Sequence, residues 1–419
     1  MSASAPGGTA TLPLAGVRVV DFTQFVAGSH TTLWLASLGA EVIRIESPSR
    51  PDPFRSSVLK VGIEPSLNNS PIFVVTNLMK RSCAIELTEP DGQRLCHELV
   101  KRSDVVVANF RPGVLEHFNM GYQVLREINP GIVMATITGF GYHGAFAAFQ
   151  AMAPSMHAFS GLCAATGYPG GPPEQAFSTY ADVVAGMMAV PSILAALRHR
   201  EITGAGQYID VAMSDAVIAA APELVLHAAL FGTELERRGN EEDGFAPHGC
   251  YPAARRDRWI AIAVFDDEQW LELTRVLGLT DAGSDPRFTS AAARWESRAE
   301  VDKLVGEATR TWDPVELATR LQEAGVAAAP VRTAEDLLAD RQLIDDGFLQ
   351  PVVQAELGEA LMPALPWRIE TASTTETGAA ARPIGPAPDF GEGTKEILGD
   401  VLGLTDAAWQ DLHERGIVA

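Results

Sequence analysis

Strand-like and helical patterns alternate over residues 17–137, and this alternation restricts the chain to very few folds. The strand patterns lie at 17–22, 41–46, 82–87, 105–108 and 132–137, and the helical runs between them lie at 31–38 and 91–102. Strands that are joined through a helix lie parallel, and a strand that is apolar on both faces belongs in the middle of a covered sheet. The sequence therefore predicts an α/β fold with a parallel sheet.

Beyond residue 180 the helical patterns dominate, and the composition changes after Gly232. The predicted helices lie at 182–200, 214–231, 268–277, 298–312, 314–324 and 396–416, and the predicted strands at 207–212 and 259–264. The charged, glycine-containing stretch 234–244 is typical of a linker or mobile loop. The elements after it predict a smaller α+β domain near 245–335, and segment 371–387 is interpreted as a tail or wrapping arm.

The charge balance limits the partners of the chain. It has 32 Lys plus Arg against 53 Asp plus Glu, a formal net charge of −21, which repels nucleic acid and anionic membranes. No apolar stretch of bilayer length and no signal-peptide pattern is found, so no membrane partner is expected. The four cysteines form no Cys-x-x-Cys pair, which suits reduced thiols. We expect a cytoplasmic protein.

Gly139, Gly141 and Gly144 form a G-x-G-x-x-G motif directly after the strand at 132–137. The dinucleotide fingerprint needs a helix there and an acid about twenty residues later, but 145–173 contains no Asp or Glu. The motif is therefore interpreted as a tight turn. The nine histidines form no metal-ligand pattern, so no metal site is predicted.

Asp182 is the only charged residue between Glu174 and Arg198, and it stands in an apolar segment at the start of a helical run. One interpretation is an N-cap whose carboxylate accepts backbone hydrogen bonds, and the sequence alone favours it. A second interpretation uses the same physics, because the helix N-terminus keeps the carboxylate ionised while poor solvation leaves it nucleophilic. The two interpretations are compatible.

Four cations, Arg44, Lys80, Arg81 and Arg111, fall near strand ends of the predicted sheet. Ligands of parallel sheets bind outside the carboxyl ends of the strands. The cations are therefore a candidate site for a phosphate-bearing molecule, and solvated surface charge is the alternative.

Six ordered motifs resemble the class III CoA-transferases, the formyl-CoA transferase and carnitine CoA-transferase family (CaiB/BaiF type). They extend over about 200 residues, at 14–23 with Ala27-Gly28, 38–46, 77–82, 108–113, 180–182 followed by 193–198, and 203–207 with 210–213. The resemblance implies a Rossmann-like large domain built from residues 1–232 and 336–419. It also implies a linker and small domain at 233–335, and an interlocked homodimer in which each chain threads through the other.

The same resemblance implies the chemistry. Asp182 is expected to be the nucleophile that carries mixed-anhydride and aspartyl-CoA thioester intermediates between an acyl-CoA donor and a free carboxylic acid. Coenzyme A thioester is a substrate, and no tightly bound cofactor is expected. The implied CoA-binding residues are Phe25, Val26, Ala27, Asn77, Lys80, Arg81, Asn109, Phe110, Arg111 and Met213, with Lys80 and Arg111 on phosphate.

Two departures from the family pattern bear on the activity. The related racemases need a His-Asp pair where this chain has Met152-Ala153, so racemase activity is rejected. The glycine-run lid of many transferases is poorly matched by 239–249. A non-catalytic or partner-dependent subunit of a heteromeric CoA-transferase is the main alternative, and a dinucleotide-dependent oxidoreductase is the third.

The segment 149–157 is expected to face the acyl group, with Met152, Met156 and His157 lining an acyl pocket. Its Met and Phe content favours an apolar or bulky acid, such as an aromatic or branched dicarboxylate. Methionines at such spacing also occur in ordinary cores, and the residues alone favour packing for His157.

Overall fold

A computed structural model describes residues 12–56, 66–369 and 383–419 of the chain. The described residues fall into two compact units. The large unit lies within Met1–Leu162, Gln175–Thr233 and Arg341–Ala419, and the small unit within Cys163–Glu174 and Glu234–Asp340. Residues 163–174 lie inside the predicted 1–232 domain but belong to the small unit, because Arg237 donates to the carbonyls of Ala164 and Gly171.

Six parallel strands form the sheet of the large unit, namely β1 (Arg18–Asp21), β2 (Glu41–Glu46), β3 (Arg81–Ala84), β4 (Val105–Ala108), β5 (Val133–Thr138) and β6 (Tyr208–Ala212). Their order across the sheet is β3-β2-β1-β4-β5-β6. The predicted α/β fold with a Rossmann-like parallel sheet is confirmed. The strand order reverses between β1 and β4, and ligands of such sheets bind beyond the carboxyl ends of the strands at this point.

Helices cover both faces of the sheet. The helices of the large unit before residue 234 are α1 (Ala27–Ser37), α2 (Pro71–Asn77), α3 (Pro90–Val100), α4 (Val114–His117), α5 (Tyr122–Ile128), α6 (Ala153–Phe159), α8 (Tyr180–Thr203), α9 (Met213–Ala220) and α10 (Pro222–Phe231), whereas α7 (Leu162–Ala165) lies mostly in the small unit. Val105 and Val107 of β4 pack in one hydrophobic cluster with α1, α6, α8 and α9. Val106 and Ala108 point to the opposite face and pack with α3 and α5.

The predicted helix at 214–231 is wrong as one element, because α9 and α10 meet at a bend of 70°. Pro222 is the first residue of α10, and proline lacks the N–H that an uninterrupted helix needs there.

The small unit has a three-stranded antiparallel sheet covered by helices, as the predicted α+β domain requires. Its strands are β7 (His248–Pro252), β8 (Trp259–Ala263) and β9 (Ala327–Pro330), in the order β7-β8-β9. Its helices are α11 (Asp267–Leu277), α12 (Thr280–Ser284), α13 (Ala291–Glu296), α14 (Arg298–Thr309), α15 (Pro314–Glu323) and α16 (Ala334–Leu338). Trp270, Leu273 and Leu317 are buried in its core.

The C-terminal part of the chain belongs to the large unit. It contains α17 (Arg341–Asp345), the hairpin β10 (Leu349–Gln354) and β11 (Gly358–Pro363), and the helices α18 (Thr394–Leu402) and α19 (Asp406–Glu414). The predicted helix at 396–416 is interrupted at Gly403, which has a positive φ of 72°. Ile85 forms an antiparallel bridge with Val418. Most of the predicted wrapping arm, 371–387, lies outside the described residues.

The expectation that no apolar stretch has bilayer length is wrong. By length and composition α8 could cross a bilayer, and so could α9 and α10 if they formed one bent span. Ala185, Ala189 and Ile193 of α8 are buried in the hydrophobic cluster against the sheet. A core helix passes the same length and composition test.

Candidate active site

The N-termini of two helices meet on one face of the sheet. The helices α1 and α8 begin at Ala27 and Tyr180. At Gly186 a Cβ atom would lie 2.7 Å from the carbonyl oxygen of Ala27. Thr31 Oγ1 donates to the carbonyl of Gly186 at 3.2 Å. Only glycine allows this approach, which holds the first turns of α1 and α8 together.

Asp182 lies in the first turn of α8, at the junction of the two helices. Burial raises the pKa of its carboxyl to about 6, and hydrogen bonds from the backbone N–H groups of Ala27 and Asp182 itself limit that rise. Within the described ranges no ion pair links Asp182 to a cation. At pH 7 the carboxylate is about nine-tenths ionised and poorly solvated, which are the properties of a candidate nucleophile.

Asp182 is not the N-cap of α8 but lies three residues after it, so the N-cap interpretation is wrong. The N-cap of α8 is Thr179, and its side chain makes no capping hydrogen bond. Asp182 is instead the third helical residue, where the positive end of the helix dipole still favours an anion. The second interpretation, a nucleophilic carboxylate that stays ionised in a partly apolar setting, matches the observed surroundings.

The loop between β1 and α1 is held in a strained conformation. Phe25 has a φ of 59°, in the left-handed region that non-glycine residues rarely adopt. Its N–H donates to Asp52 Oδ2 at 3.1 Å. The Asn109 side chain accepts from the N–H of Gln24 at 2.8 Å and donates to its carbonyl at 2.6 Å. Asp52 follows β2 and Asn109 follows β4, and their hydrogen bonds fix the backbone that leads into Ala27.

A buried ion network lies beside this loop. Lys80 Nζ donates to Asp21 Oδ2 at 3.2 Å, to the carbonyl of Ser29 at 2.9 Å and to Asn77 Oδ1 at 2.8 Å. Arg44 binds Asn77 Oδ1 at 2.9 Å and pairs with Asp52. Asn77 and Lys80 are both buried, and all three donors of Lys80 are used. Because both side chains are buried and bonded within the protein, this geometry argues against the contact with a CoA phosphate that the sequence predicts for Lys80.

Arg81 differs from the other predicted CoA residues in position. It begins β3, so it lies at the amino end of the sheet, and it pairs with Glu41 at 2.6 Å and Glu396 at 3.0 Å. This geometry argues against the CoA contact predicted for it. Arg81 is the first residue of β3, and ligands of parallel sheets bind beyond the last residues of the strands.

The remaining predicted CoA residues follow strands at their carboxyl ends. Phe25, Val26 and Ala27 follow β1, and Met213 follows β6. Asn109, Phe110 and Arg111 follow β4, and of these Arg111 is exposed. Arg111 is the predicted phosphate contact that the structure leaves accessible.

The predicted acyl-pocket residues do not form one open surface. Met156 and His157 are completely buried, whereas Met152 is 60% exposed. Met156 packs in the same hydrophobic cluster as α8, as in an ordinary core, and this geometry argues against the acyl-pocket role predicted for it. Next to this segment Phe140, Phe146, Phe149 and Phe159 form an aromatic cluster with ring centroids 5.0–6.3 Å apart.

The other sequence motifs give no second site. The G-x-G-x-x-G segment is a turn in which Gly141 and Gly144 have positive φ, and the next helix after Gly144 begins only at Ala153. In the part of the chain that the structure describes, no group of three or more acids, histidines and cysteines could hold a metal ion. Two cavities of about 570 and 610 Å³ in the small unit contain none of the predicted site residues.

The sequence does not show how three residues, Asp52, Gly186 and Gly28, contribute to this site, although Gly28 belongs to one of the family motifs. Asp52 lies in an irregular loop, and no local pattern shows that it holds Phe25. Gly186 interrupts a helical run, and an isolated glycine inside a helix is a signal of close packing. Gly28 is the third, because a Cβ atom there would lie 2.4 Å from Thr23 Cγ2.

Comparison with known proteins identifies the class that this fold and site define. The model of CoA-transferase family III matches residues 14–391. The chain therefore belongs to CoA-transferase family III, and it is a CoA-transferase that uses CoA thioesters as substrates. The sequence resemblance is confirmed, and the dinucleotide-dependent alternative is wrong.

Individual relatives extend over almost the whole chain. The succinyl-CoA–L-malate CoA-transferase beta subunit of Chloroflexus aurantiacus is 32% identical over 98% of this chain and 100% of its own length. The succinyl-CoA–D-citramalate CoA-transferase of the same organism is 33% identical over 94% of this chain and 95% of its own. The crystal structure of a CAIB/BAIF family protein from Brucella suis has a TM-score of 0.84 and 29% identity, with 94% and 100% coverage.

Proposed function

We propose that this enzyme transfers CoA from succinyl-CoA to a hydroxylated or branched dicarboxylic acid, with Asp182 as the covalent nucleophile. The observation that carries the proposal is the carboxylate of Asp182, which is partly buried, has a pKa of about 6 and contacts backbone N–H groups rather than a cation. The donor and the acceptor class are supported by the names of two relatives, which use succinyl-CoA with L-malate and with D-citramalate.

The reaction proceeds in four acyl-transfer steps. The Asp182 carboxylate attacks the thioester carbonyl, a C–O bond forms, the C–S bond breaks, and CoA leaves as the thiolate. The thiolate then attacks the aspartyl carbonyl of the mixed anhydride, which releases the donor carboxylate and leaves an aspartyl-CoA thioester. The acceptor carboxylate and the thiolate repeat these two steps in reverse, which regenerates Asp182. No proton moves in any step, so no general base is required.

The backbone N–H of Ala27 supports this chemistry. The N–H of Ala27, at the N-terminus of α1, stabilises negative charge beside Asp182 without neutralising it. Burial outweighs the hydrogen bonds from the Ala27 and Asp182 backbone N–H groups, so the pKa of the carboxyl stays raised, at about 6. Asp182 therefore keeps enough nucleophilicity to attack a thioester.

The CoA molecule is proposed to bind at the reversal of strand order between β1 and β4. The partly exposed residues Phe25, Asn109 and Phe110 would line this site, and Arg111 would contact phosphate as an accessible cation. Val26, Ala27 and Met213 are buried, so they would contribute backbone groups at most. Lys80 and Asn77 would contribute indirectly, since they hold the neighbouring helix through Ser29 and Arg44.

The acceptor specificity is tested with a panel of acids and succinyl-CoA as donor, with new acyl-CoA followed by chromatography. L-malate, citramalate and glutarate are compared with formate and oxalate, and Asp182→Asn is the blank. We expect kcat/KM for the hydroxylated and branched dicarboxylates to exceed that for formate and oxalate by at least about 100-fold. A preference for formate or oxalate would refute the proposed acceptor class.

A homodimer is part of the proposal, and exposed apolar surface supports it. No residue of α10 is buried, although the helix carries Val225, Leu226, Leu230 and Phe231, all more than half exposed. Large exposed apolar patches mark sites of protein–protein or membrane interaction or ligand grooves, and a second copy of this chain is the proposed cover. An interlocked arrangement of two copies is proposed on the family resemblance.

The second candidate is a subunit of a heteromeric CoA-transferase, because a relative 32% identical to this chain is itself a beta subunit. Light scattering and turnover of the purified chain distinguish the two. A dimer with full turnover supports the homodimer, whereas turnover that appears only on addition of a homologous chain supports the heteromer. Since acyl-CoA is the substrate, we also propose a cytoplasmic location.

A further inference from the structure

His157 is completely buried in α6 and makes one specific polar contact. Its Nε2 accepts a hydrogen bond from the backbone N–H of Ala181 at 3.0 Å. An amide nitrogen can only donate, so Nε2 carries no proton and the neutral ring has its proton on Nδ1. The contact therefore fixes the orientation of the imidazole and leaves its proton on Nδ1, which has no hydrogen-bond partner among the described residues.

Ala181 is the second residue of α8 and immediately precedes Asp182. The first N–H groups of a helix have no acceptor within the helix. The N–H of Ala181 is buried with its residue, and leaving such a donor unpaired is unfavourable. His157 supplies the acceptor, and its ring centroid also lies 5.9 Å from that of Tyr180.

The first turns of α8 are thus held from two different elements. From α1, Ala27 hydrogen-bonds the Asp182 carboxylate and Thr31 hydrogen-bonds the carbonyl of Gly186. From α6, His157 holds the residue just before Asp182. A carboxylate that attacks a thioester must be placed to within a fraction of an ångström, because a small displacement slows the reaction strongly.

We propose that His157 is a positioning residue, which acts through the N–H of Ala181 to fix the attack geometry of Asp182 and does not contact substrate. The proposal rests on the covalent role of Asp182 and replaces the acyl-pocket role that the sequence predicts for His157. It assigns the function to the hydrogen-bond acceptor and not to the acid-base chemistry of the ring. Burial also lowers the pKa of His157, which keeps the ring neutral.

Two variants of equal side-chain length separate these properties. His157→Gln keeps an acceptor oxygen near the position of Nε2 and cannot titrate. His157→Met has a methyl group at that end and leaves the N–H of Ala181 without an oxygen or nitrogen acceptor. Wild type and each variant are incubated with succinyl-CoA and hydroxylamine, and the amount of hydroxamate at Asp182 is measured as a function of time. The dissociation constant for CoA and the melting temperature are measured in parallel.

We expect His157→Gln to form hydroxamate within about threefold of the wild-type rate. His157→Met should be about 10- to 100-fold slower, with a CoA dissociation constant within about twofold of wild type. A wild-type rate in His157→Met would overturn the proposal. If His157→Met does not fold, the test rests on His157→Gln. A rate of hydroxamate formation reduced more than tenfold in this variant, while it folds and binds CoA, would show that the imidazole itself is needed and would overturn the proposal. Absence of hydroxamate in the wild-type protein would instead refute the covalent role of Asp182.

Discussion

Asp21 and Asp182 are two desolvated carboxylates of the large unit that contact the same helix, α1, and differ in what surrounds them. Burial alone would raise the pKa of Asp21, but Lys80, Arg44 and the hydrogen bonds of Thr23 and Thr32 lower it below its usual value. Burial raises the pKa of Asp182 to about 6, opposed only by backbone N–H groups. A buried carboxylate with cations beside it is a structural anchor, and one without them remains reactive.

The largest expected effect is on activity. Asp182→Asn keeps the shape of the side chain but removes the nucleophile, so we expect kcat to fall by at least about 10⁴-fold. Turnover of succinyl-CoA measures the loss, and an unchanged CoA dissociation constant is the control for binding. Residual activity within tenfold of wild type would mean that another group carries the acyl chain.

For Asp21 the expected effect is on stability. Asp21→Asn leaves Lys80 and Arg44 with a surplus positive charge in a buried site, and we expect the free energy of unfolding in urea at pH 7 to fall by about 3 to 5 kcal/mol. The double variant Asp21→Asn, Lys80→Met is the control, since removing the second charge should restore part of the loss. If the single variant is as stable as wild type, the network does not anchor α1.

Gly186→Ala tests the contact between α1 and α8. The added Cβ would lie 2.7 Å from the carbonyl oxygen of Ala27, so α1 and α8 must separate and the Ala27 contact with Asp182 is disturbed. We expect kcat to fall about 10- to 100-fold. Gly399→Ala is the matched control, because its Cβ would meet nothing closer than 3.9 Å, and activity should not change. Equal effects of the two variants would refute the packing argument.

Whereas Asp21→Asn should lower the free energy of unfolding, Asp182→Asn should raise it. A carboxyl whose folded pKa is raised to about 6 makes the folded state lose stability as the pH rises from about 4 to about 6. At pH 7.5 the variant should therefore be more stable than wild type in urea by on the order of 3 kcal/mol, and the difference should vanish near pH 4. A variant less stable at pH 7.5 would contradict the assigned pKa.

The smallest effect is the pH dependence of the wild-type enzyme. Only ionised Asp182 attacks, so the rate of its acylation should be constant above pH 7 and about tenfold lower at pH 5. The buried imidazole of His30, whose pKa burial and Lys80 lower to about 4, does not titrate in this range. A rate that stays constant down to pH 5 would show that the Asp182 pKa is not raised.

Local sequence patterns predict the fold well because the signals are local. The apolar strands such as Val105–Ala108 and the helices between them require a parallel sheet, and the structure has it. Breaks in helices were missed where a single residue decides, as at Pro222 and Gly403, although both residues are known helix terminators.

The candidate site was only partly predictable, because its contacts join distant segments. Asp182 stands out in the sequence as an isolated charge in an apolar run. Lys80 looks like a phosphate ligand until folding brings it beside Asp21, 59 residues away, where its charge is neutralised. Arg81 looks equivalent to Lys80, but the sequence does not show that its partners Glu41 and Glu396 lie at the amino end of the sheet.

The most direct test of the central claim is to identify the residue that becomes activated. The wild-type protein is incubated with succinyl-CoA and then with hydroxylamine, and its peptides are mapped by mass spectrometry, with Asp182→Asn treated in the same way. The account predicts a hydroxamate on Asp182 in the wild type and none on Asp21, whose carboxylate is neutralised by Lys80 and Arg44. A hydroxamate on another residue, or none in a protein that turns over succinyl-CoA, would contradict it.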